Sequence, residues 1–306
     1  MITYLSLARQ ANIHSPEKPG KDFISFCLNP SGYDVDPDIR QHLEELHGVA
    51  RRTSARYQSY ITMCKGTGCV SSGEIRLKKR FDEVLKDRGL TERVRLIETG
   101  CRGFCEKGPI VSITPGEAFY CEVQEADIEE LVDSHIIGGS VVERLLFATG
   151  VIKENDIAFY RKQERRVLAN AGVIDPDNID EAIASETYLG LSKALFNHSS
   201  DEVIAMVKRA GLRGRGGGGF QTGTKWELCR KSNQDPKYVI CNADEGDPGA
   251  FMDRSILEAD PHRLLEGMII CGYAIGSHEG HIYVRAEYPL AVKRITRAIE
   301  QAREYG

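Results

Sequence analysis

Two short cysteine pairs constrain this chain more than any other feature. Met63-Cys64-Lys65-Gly66-Thr67-Gly68-Cys69 gives C-x4-C, and Thr99-Gly100-Cys101-Arg102-Gly103-Phe104-Cys105 gives C-x3-C. Each pair directly follows a stretch that reads as a strand, 60–63 and 94–97. Four thiolates on two short loops suit a two-iron cluster, which takes two thiolates per iron. Glycines between the ligands let backbone N–H groups approach the sulfides, and such bonds help set the reduction potential. Structural zinc is an alternative, although it favours tighter C-x2-C pairs. A pair of disulfides is another, which a reducing compartment disfavours. The run also departs from the plant-type C-x4-C-x2-C spacing. Cys27, Cys121, Cys229, Cys241 and Cys271 are scattered, mostly in apolar runs, and read as buried inert thiols.

The 306 residues allow about two domains at roughly 100–200 residues each. With 41% hydrophobic and 28% charged residues, the chain can bury a core and stay in solution. A net charge of −5 argues against a general nucleic-acid binder. No apolar run reaches the ~18–20 residues of a membrane span. The first 20 residues lack a charged region followed by an apolar core, so no secretory signal is expected. The odd count of nine cysteines also speaks for metal or redox chemistry in a reducing, cytoplasmic setting.

Four segments follow from the periodicities. Residues 1–56 read as an N-terminal helical extension, with a turn at Asn29-Pro30-Ser31-Gly32 and helical spacing of Ile39, Leu43, Leu46 and Val49. Residues 57–140 read as β-α-β then β-β-α: strands at 60–63, 94–97, 110–113 and 119–123, and helices at 72–88 and 125–135. That order is thioredoxin-like. Residues 141–200 read as a mostly helical connector. Residues 201–306 alternate helices (201–210, from 222, 261–275, 289–304) with strands (238–241, 282–286). A Rossmann-like α/β layer is the default for that half.

The half from 201 on opens with a glycine loop, Gly211 to Gly219, running into Phe220-Gln221-Thr222-Gly223-Thr224-Lys225-Trp226. Gly214 to Gly219 fits G-x-G-x-x-G, but a helix precedes it, so the dinucleotide fingerprint lacks its strand. Bare glycines expose N–H groups, Arg215 and Lys225 add positive charge, and a helix beginning at Thr222 points its N-terminus at the loop. These features suit an anion such as a phosphate. No lysine stands at the Walker spacing, which disfavours ATP hydrolysis. The alternative is a flexible linker. The acidic turn Asn242-Ala243-Asp244-Glu245-Gly246-Asp247 follows a strand, and ligands of α/β sheets gather at such strand ends. Its carboxylates and amide can hold ribityl or ribose hydroxyls, or form only a solvated turn.

Taken together, these segments resemble the flavin-bearing, NADH-oxidising subunit of respiratory complex I. They look closer still to the related subunits of soluble NAD(P)-linked hydrogenases and formate dehydrogenases, including electron-bifurcating ones, which carry a thioredoxin-like [2Fe-2S] domain ahead of the flavin domain. The resemblance runs from about residue 60 to 306 and is most specific at 211–226, 238–254 and 282–291. It implies that Cys64, Cys69, Cys101 and Cys105 are [2Fe-2S] ligands. It implies that Gly214, Arg215, Gly216, Gly217 and Lys225 cradle FMN, with Asn242, Asp244 and Glu245 completing the flavin contacts. Phe220 and Asp247 are implied on the NAD(H) side. In such a family member, hydride passes from NADH to FMN and single electrons leave through iron–sulfur clusters to partner subunits: a small [2Fe-2S] subunit, or a hydrogenase or formate dehydrogenase catalytic subunit. Other classes are an electron-carrier or scaffold subunit without a working flavin site, and a thiol–disulfide protein, for which no C-x-x-C redox pair is present.

The family loop usually reads G-R-G-G-A-G-F-P-T-G, and here Gly218 and Gln221 replace Ala and Pro. The family also continues past the point matching Gly306 with a second glycine-rich segment, a ubiquitin-like domain and a bundle holding a [4Fe-4S] motif. The expectation is therefore a thioredoxin-like domain followed by an incomplete Rossmann-like FMN/NADH domain. Residues 1–306 alone are expected to hold FMN weakly or not at all and not to oxidise NADH.

Overall fold

Runs of β-branched and aromatic residues form strands β1 (Phe23–Cys27), β2 (Ser59–Cys64), β3 (Val94–Thr99), β4 (Val111–Thr114), β5 (Ala118–Tyr120), β6 (Tyr238–Ala243) and β7 (Glu279–Val284) in the computed structural model. The structure describes residues 23–27 and 37–305. Two sheets result, ordered β3-β2-β4-β5 and β1-β7-β6. They lie in different compact units: Val49–Ser185 with Glu258–Asp260, and Glu186–Leu257 with the chain from Pro261 and β1.

In the first unit β2 and β3 are parallel, β4 pairs antiparallel with β2, and β5 pairs antiparallel with β4. Parallel neighbours need a crossover, supplied by the helix Glu74–Asp87. Leu77, Phe81, Val84 and Leu85 recur at helical spacing on that helix and are buried. They share a core with Ile61, Met63, Ile113, Tyr120 and Leu131. An irregular helical run from Glu125 to Ile137 closes the layer. This is the expected thioredoxin-like order of an α/β layer.

The expected helical connector is corrected by the structure. Residues 141–185 hold only single helical turns and two short helices, Ala158–Arg161 and Ile179–Ala184. Their backbone instead hydrogen-bonds to the edge of β5: Phe119 N–H donates to the Ile152 carbonyl and Cys121 N–H to that of Leu145, both at 2.8 Å. An open sheet edge offers unpaired donors, and this segment satisfies them. Residues 141–185 thus belong to the first unit, while 186–200, with the helix Leu189–Asn197, go with the second.

In the second unit β6 and β7 are parallel, and β1 pairs antiparallel with β7 from Phe23↔Tyr283 to Cys27↔Glu279. β1 corrects the reading of residues 1–56 as helical, although Pro37–Ser54 is a helix. The turn expected at 29–32 lies outside the described residues. β7 begins earlier than expected because strands on both sides draw Glu279, Gly280 and His281 into the ladder. The helices Pro261–Ile275 and Pro289–Glu304 match the expected bounds. They pack Leu265, Met268, Ile295 and Ile299 against Ile282 and Val284. No helix among the described residues is long and apolar enough to cross a membrane.

Candidate functional site

The parallel register of β2 and β3 explains why the two cysteine pairs meet. Cys64 ends β2 directly opposite Thr99, the last residue of β3. The loops that follow leave the sheet side by side. Thr99 Oγ1 donates to the Met63 carbonyl at 3.0 Å and Lys65 N–H to the Thr99 carbonyl at 3.0 Å, tying the two exits together. Cys101 and Cys105 Sγ atoms lie 3.7 Å apart. That is the edge of a tetrahedron with metal–sulfur bonds of about 2.3 Å. Cys64 and Cys69 pack in one buried cluster with Cys101 beside them.

Three glycines make room for this gathering. A Cβ on Gly66 would lie 2.8 Å from Cys101 Cβ and 3.1 Å from its Sγ. One on Gly68 would lie 3.2 Å from Cys105 Sγ, and one on Gly108 would lie 2.9 Å from Cys69 Sγ. Backbone N–H groups also point at the sulfurs: Gly66 and Arg102 toward Cys64, Ile110 toward Cys69, and Gly103 toward Cys101 at 3.3 Å. The thiols of Cys101 and Cys69 hold Cys64 well below the usual thiol range. The bond to Cys64 pushes Cys69 up, and bonds to Cys105 and Cys64 push Cys101 up. One negative charge is thus readily held among four sulfurs. A metal group bound there would displace the remaining protons.

Among the described residues no three His, Cys, Asp or Glu side chains gather around one point to hold a single ion. Four thiols on two loops, with Cys101 and Cys105 in sulfur contact, match the two-thiolates-per-iron donor set of a two-iron cluster. Cys64, Cys69, Cys101, Cys105, Cys121, Cys229, Cys241 and Cys271 are all free of disulfides. Cys121 is buried beside this group, and burial pushes its thiol up to about 11, as suits an inert thiol.

In the second unit the glycine loop is closed at its base. Gly214 N–H donates to the Phe220 carbonyl and Thr222 N–H to that of Leu212, both at 2.9 Å. Arg213 reaches across and donates to the Gly219 carbonyl at 3.0 Å. A Cβ on Gly216, Gly217, Gly218 or Gly219 would meet nothing within 4 Å, so the loop lies open. Gly217 and Gly219 have φ of 95° and 58°, a region that side-chain-bearing residues resist. Arg215 and Phe220 are exposed on the same loop, and Lys225 is exposed on the first turn of the helix Thr222–Lys231. Gly223, to which the loop motif assigns no role, is buried: a Cβ there would lie 2.7 Å from the Lys208 backbone nitrogen. Its absent side chain lets this helix press against Ser200–Arg209 and aims its N-terminus at the loop. A glycine in a helix costs about 1 kcal/mol relative to alanine, and that cost is the signal by which sequence marks it.

The acidic turn divides into two kinds of residue. Asn242, Asp244 and Asp247 are exposed, and Asp244 N–H donates to Asn242 Oδ1 at 3.1 Å. Glu245 is buried. Its carboxylate accepts from the N–H groups of Met252, Asp253 and Arg254, at 3.3 and 3.2 Å for the last two, and so caps the helix Met252–Ala259. Its carbonyl accepts from Arg285 at 2.9 Å. Glu245 therefore shapes the turn from below. Among the described residues no hydrogen bond or ion pair joins loop 211–221 to turn 242–247.

Residues 207–306 match the family model of the Nuo51 FMN-binding domain. The chain is 56% identical over 146 residues to the NADP-reducing hydrogenase subunit HndC of Solidesulfovibrio fructosivorans, covering 48% of this chain and 29% of that one. It is 50% identical over 129 residues to an NADH-quinone oxidoreductase subunit of Aquifex aeolicus, covering 42% and 30%. The chain thus spans about a third or less of the curated relatives it matches. Two solved structures are also similar. A thioredoxin-like [2Fe-2S] ferredoxin from Aquifex aeolicus has 26% identity and a TM-score of 0.28, with 30% of this chain and 99% of that chain covered. An NAD+-reducing [NiFe]-hydrogenase has 24% identity and a TM-score of 0.37, with 88% and 48% covered.

Proposed function

We propose that this chain is the electron-input part of an NAD(P)H-linked flavin and iron–sulfur oxidoreductase. In this reading Cys64, Cys69, Cys101 and Cys105 hold a [2Fe-2S] cluster, and the segment from Gly214 to Asp247 holds FMN and meets NAD(H). The carrying observation is the convergence of four thiols from two parallel strand ends, with glycines at each closest approach, in a chain whose residues 207–306 match the Nuo51 FMN-binding domain model. When bound, FMN exchanges a two-electron hydride for single electrons, and the cluster carries those singly.

The protein's own residues bind and orient. Gly216 and Gly217 offer backbone N–H groups in an open loop whose base Gly214 closes, and Arg215 and Lys225 add charge for a phosphate. Asn242 and Asp244 present polar atoms for ribityl hydroxyls, while Glu245 holds the turn that carries them. Phe220, about half exposed, offers a ring face to a nicotinamide or adenine, and Asp247 contacts the nucleotide. The partners in this reading are other iron–sulfur subunits of a cytoplasmic redox complex of the hydrogenase or NADH-dehydrogenase type, a membership supported by the relatives' names.

Anaerobic purification followed by iron, sulfide, zinc and flavin analysis tests the reading. Two irons and two sulfides per chain, with a paramagnetic signal that Cys101→Ser abolishes or shifts and Cys121→Ser leaves nearly unchanged, supports it. Stoichiometric zinc without iron refutes the cluster. Co-expression with the downstream region that the relatives possess should bring FMN and NADH–ferricyanide activity, and Asp247→Ala should then raise KM for NADH without lowering flavin content.

A further inference from the structure

The ligand loop of Cys101 and Cys105 carries two side chains that the cluster reading does not use. Arg102 is 7% exposed. Its guanidinium donates to Glu154 Oε2 at 2.6 Å, to Thr62 Oγ1 at 2.7 Å and to the Gly172 carbonyl. Glu154 is shared with Arg165 at 2.9 Å. Gly172 has φ of 84° and stands so close that a Cβ there would lie 2.7 Å from Arg102 Nε. The Arg102 carbonyl accepts from Tyr160 Oη at 3.1 Å. Two positions on, Phe104 stacks on Phe159 at 5.3 Å and meets Phe147 and Tyr160 at 5.4 and 5.6 Å. Thr62 and the Phe119 ring, which both side chains approach, belong to the sheet. The other partners named here come from residues 147–172.

A buried arginine costs several kcal/mol of desolvation, which an ion pair only partly offsets. An apolar residue of similar volume would pack against the same wall without that cost. The location of the charge, between two ligands and bonded to Thr62 just ahead of a third, points to the cluster. Charge and burial around the sulfurs are levers on reduction potential.

Resting on the [2Fe-2S] reading, we propose that residues 147–172 are a built wall over the cluster, and that Arg102 and Glu154 form its electrostatic element. Arg102 is a positioning residue that ties the ligand loop to the wall and biases the cluster toward its reduced, more negative state. Glu154 limits that bias. The charge total of Arg102, Glu154 and Arg165 is +1. Neutralising Arg102 removes the surplus, and neutralising Glu154 enlarges it.

The test is an anaerobic redox titration of the full chain, read by paramagnetic resonance, for wild type, Arg102→Gln, Glu154→Gln and Arg102→Lys. Arg102→Gln is expected to lower the reduction equilibrium about tenfold, which is about 59 mV for a one-electron couple. Glu154→Gln is expected to raise it, and Arg102→Lys to restore most of the wild-type value. A purely structural clamp would move both neutral variants the same way, or cost cluster occupancy without changing the midpoint; either result overturns the inference. A wild-type chain that holds no iron overturns the cluster reading itself, and the inference with it. Should Arg102→Gln fail to retain any cluster, Glu154→Gln and Arg102→Lys decide: a raised midpoint in the first and a wild-type midpoint in the second support the proposal, and any other pair of results rejects it.

Discussion

Gly66 faces Cys101 across the two ligand loops, and a Cβ on Gly66 would come 2.8 Å from Cys101 Cβ. The contact joins residues 35 positions apart because β2 and β3 end together. Neither backbone can give way, since Cys64 N–H is held by the Ile110 carbonyl and Lys65 N–H by the Thr99 carbonyl.

Gly66→Ala is therefore expected to splay the cysteine pairs. Overpacking of this kind costs about 1–3 kcal/mol. Iron and sulfide content should fall several-fold while far-ultraviolet circular dichroism stays near wild type. Gly103→Ala, where a Cβ would meet nothing within 4 Å but φ is 77°, separates backbone strain from crowding: it should leave more cluster in place.

Glu245→Ala removes the acceptor for the N–H groups that begin the helix Met252–Ala259. Losing a helix cap costs about 0.5–2 kcal/mol. Urea unfolding should show that loss, while Asp244→Ala, at an exposed position, should leave the midpoint unchanged. If Glu245→Ala instead weakened flavin binding with no change in stability, its carboxylate would belong to the ligand.

Lys225 lies on the first helical turn beyond the glycine loop. A charge-assisted bond to a phosphate is worth roughly 1.5–3 kcal/mol. Lys225→Ala should weaken FMN binding about 10–100-fold in a chain extended by the downstream region. Fluorescence quenching on titration measures this, and riboflavin, which lacks the phosphate, should bind both proteins alike.

His262 is buried, with Nδ1 2.8 Å from Tyr188 Oη and Nε2 3.2 Å from Gln301 Oε1. Gln301 Oε1 only accepts, so Nε2 donates and Nδ1 accepts from the tyrosine. Burial pushes the ring pKa down from 6.5 to about 4. Between those values the unfolded chain binds this proton and the folded chain does not. The resulting stability is complete above pH 6.5 and is lost as pH falls toward 4, at up to about 1.4 kcal/mol per pH unit and roughly 3 kcal/mol in all. The stability difference between wild type and His262→Gln should shrink by that amount between pH 7 and pH 4, measured by urea unfolding.

Much was legible locally. The thioredoxin-like strand order, the cysteine loops and the helix Pro289–Glu304, with proline in its first turn, follow from patterns only a few residues long. The glycine loop announced itself in the same way, because bare N–H groups are a property of composition. Patterns along the chain thus fix whatever depends on near neighbours: turn chemistry, periodicity and cysteine spacing. Tertiary structure alone decided the rest. β1 meets β7 across roughly 250 residues. The segment 141–185, a helical connector by its periodicity, hydrogen-bonds to an open sheet edge and wraps Arg102 and Phe104. Glu245, which looks like a free carboxylate in an acidic turn, is consumed by a helix N-terminus. In each case the deciding quantity is an unsatisfied backbone group or a buried charge. Its partner is selected by proximity in space, and the one-dimensional pattern carries no record of that distance.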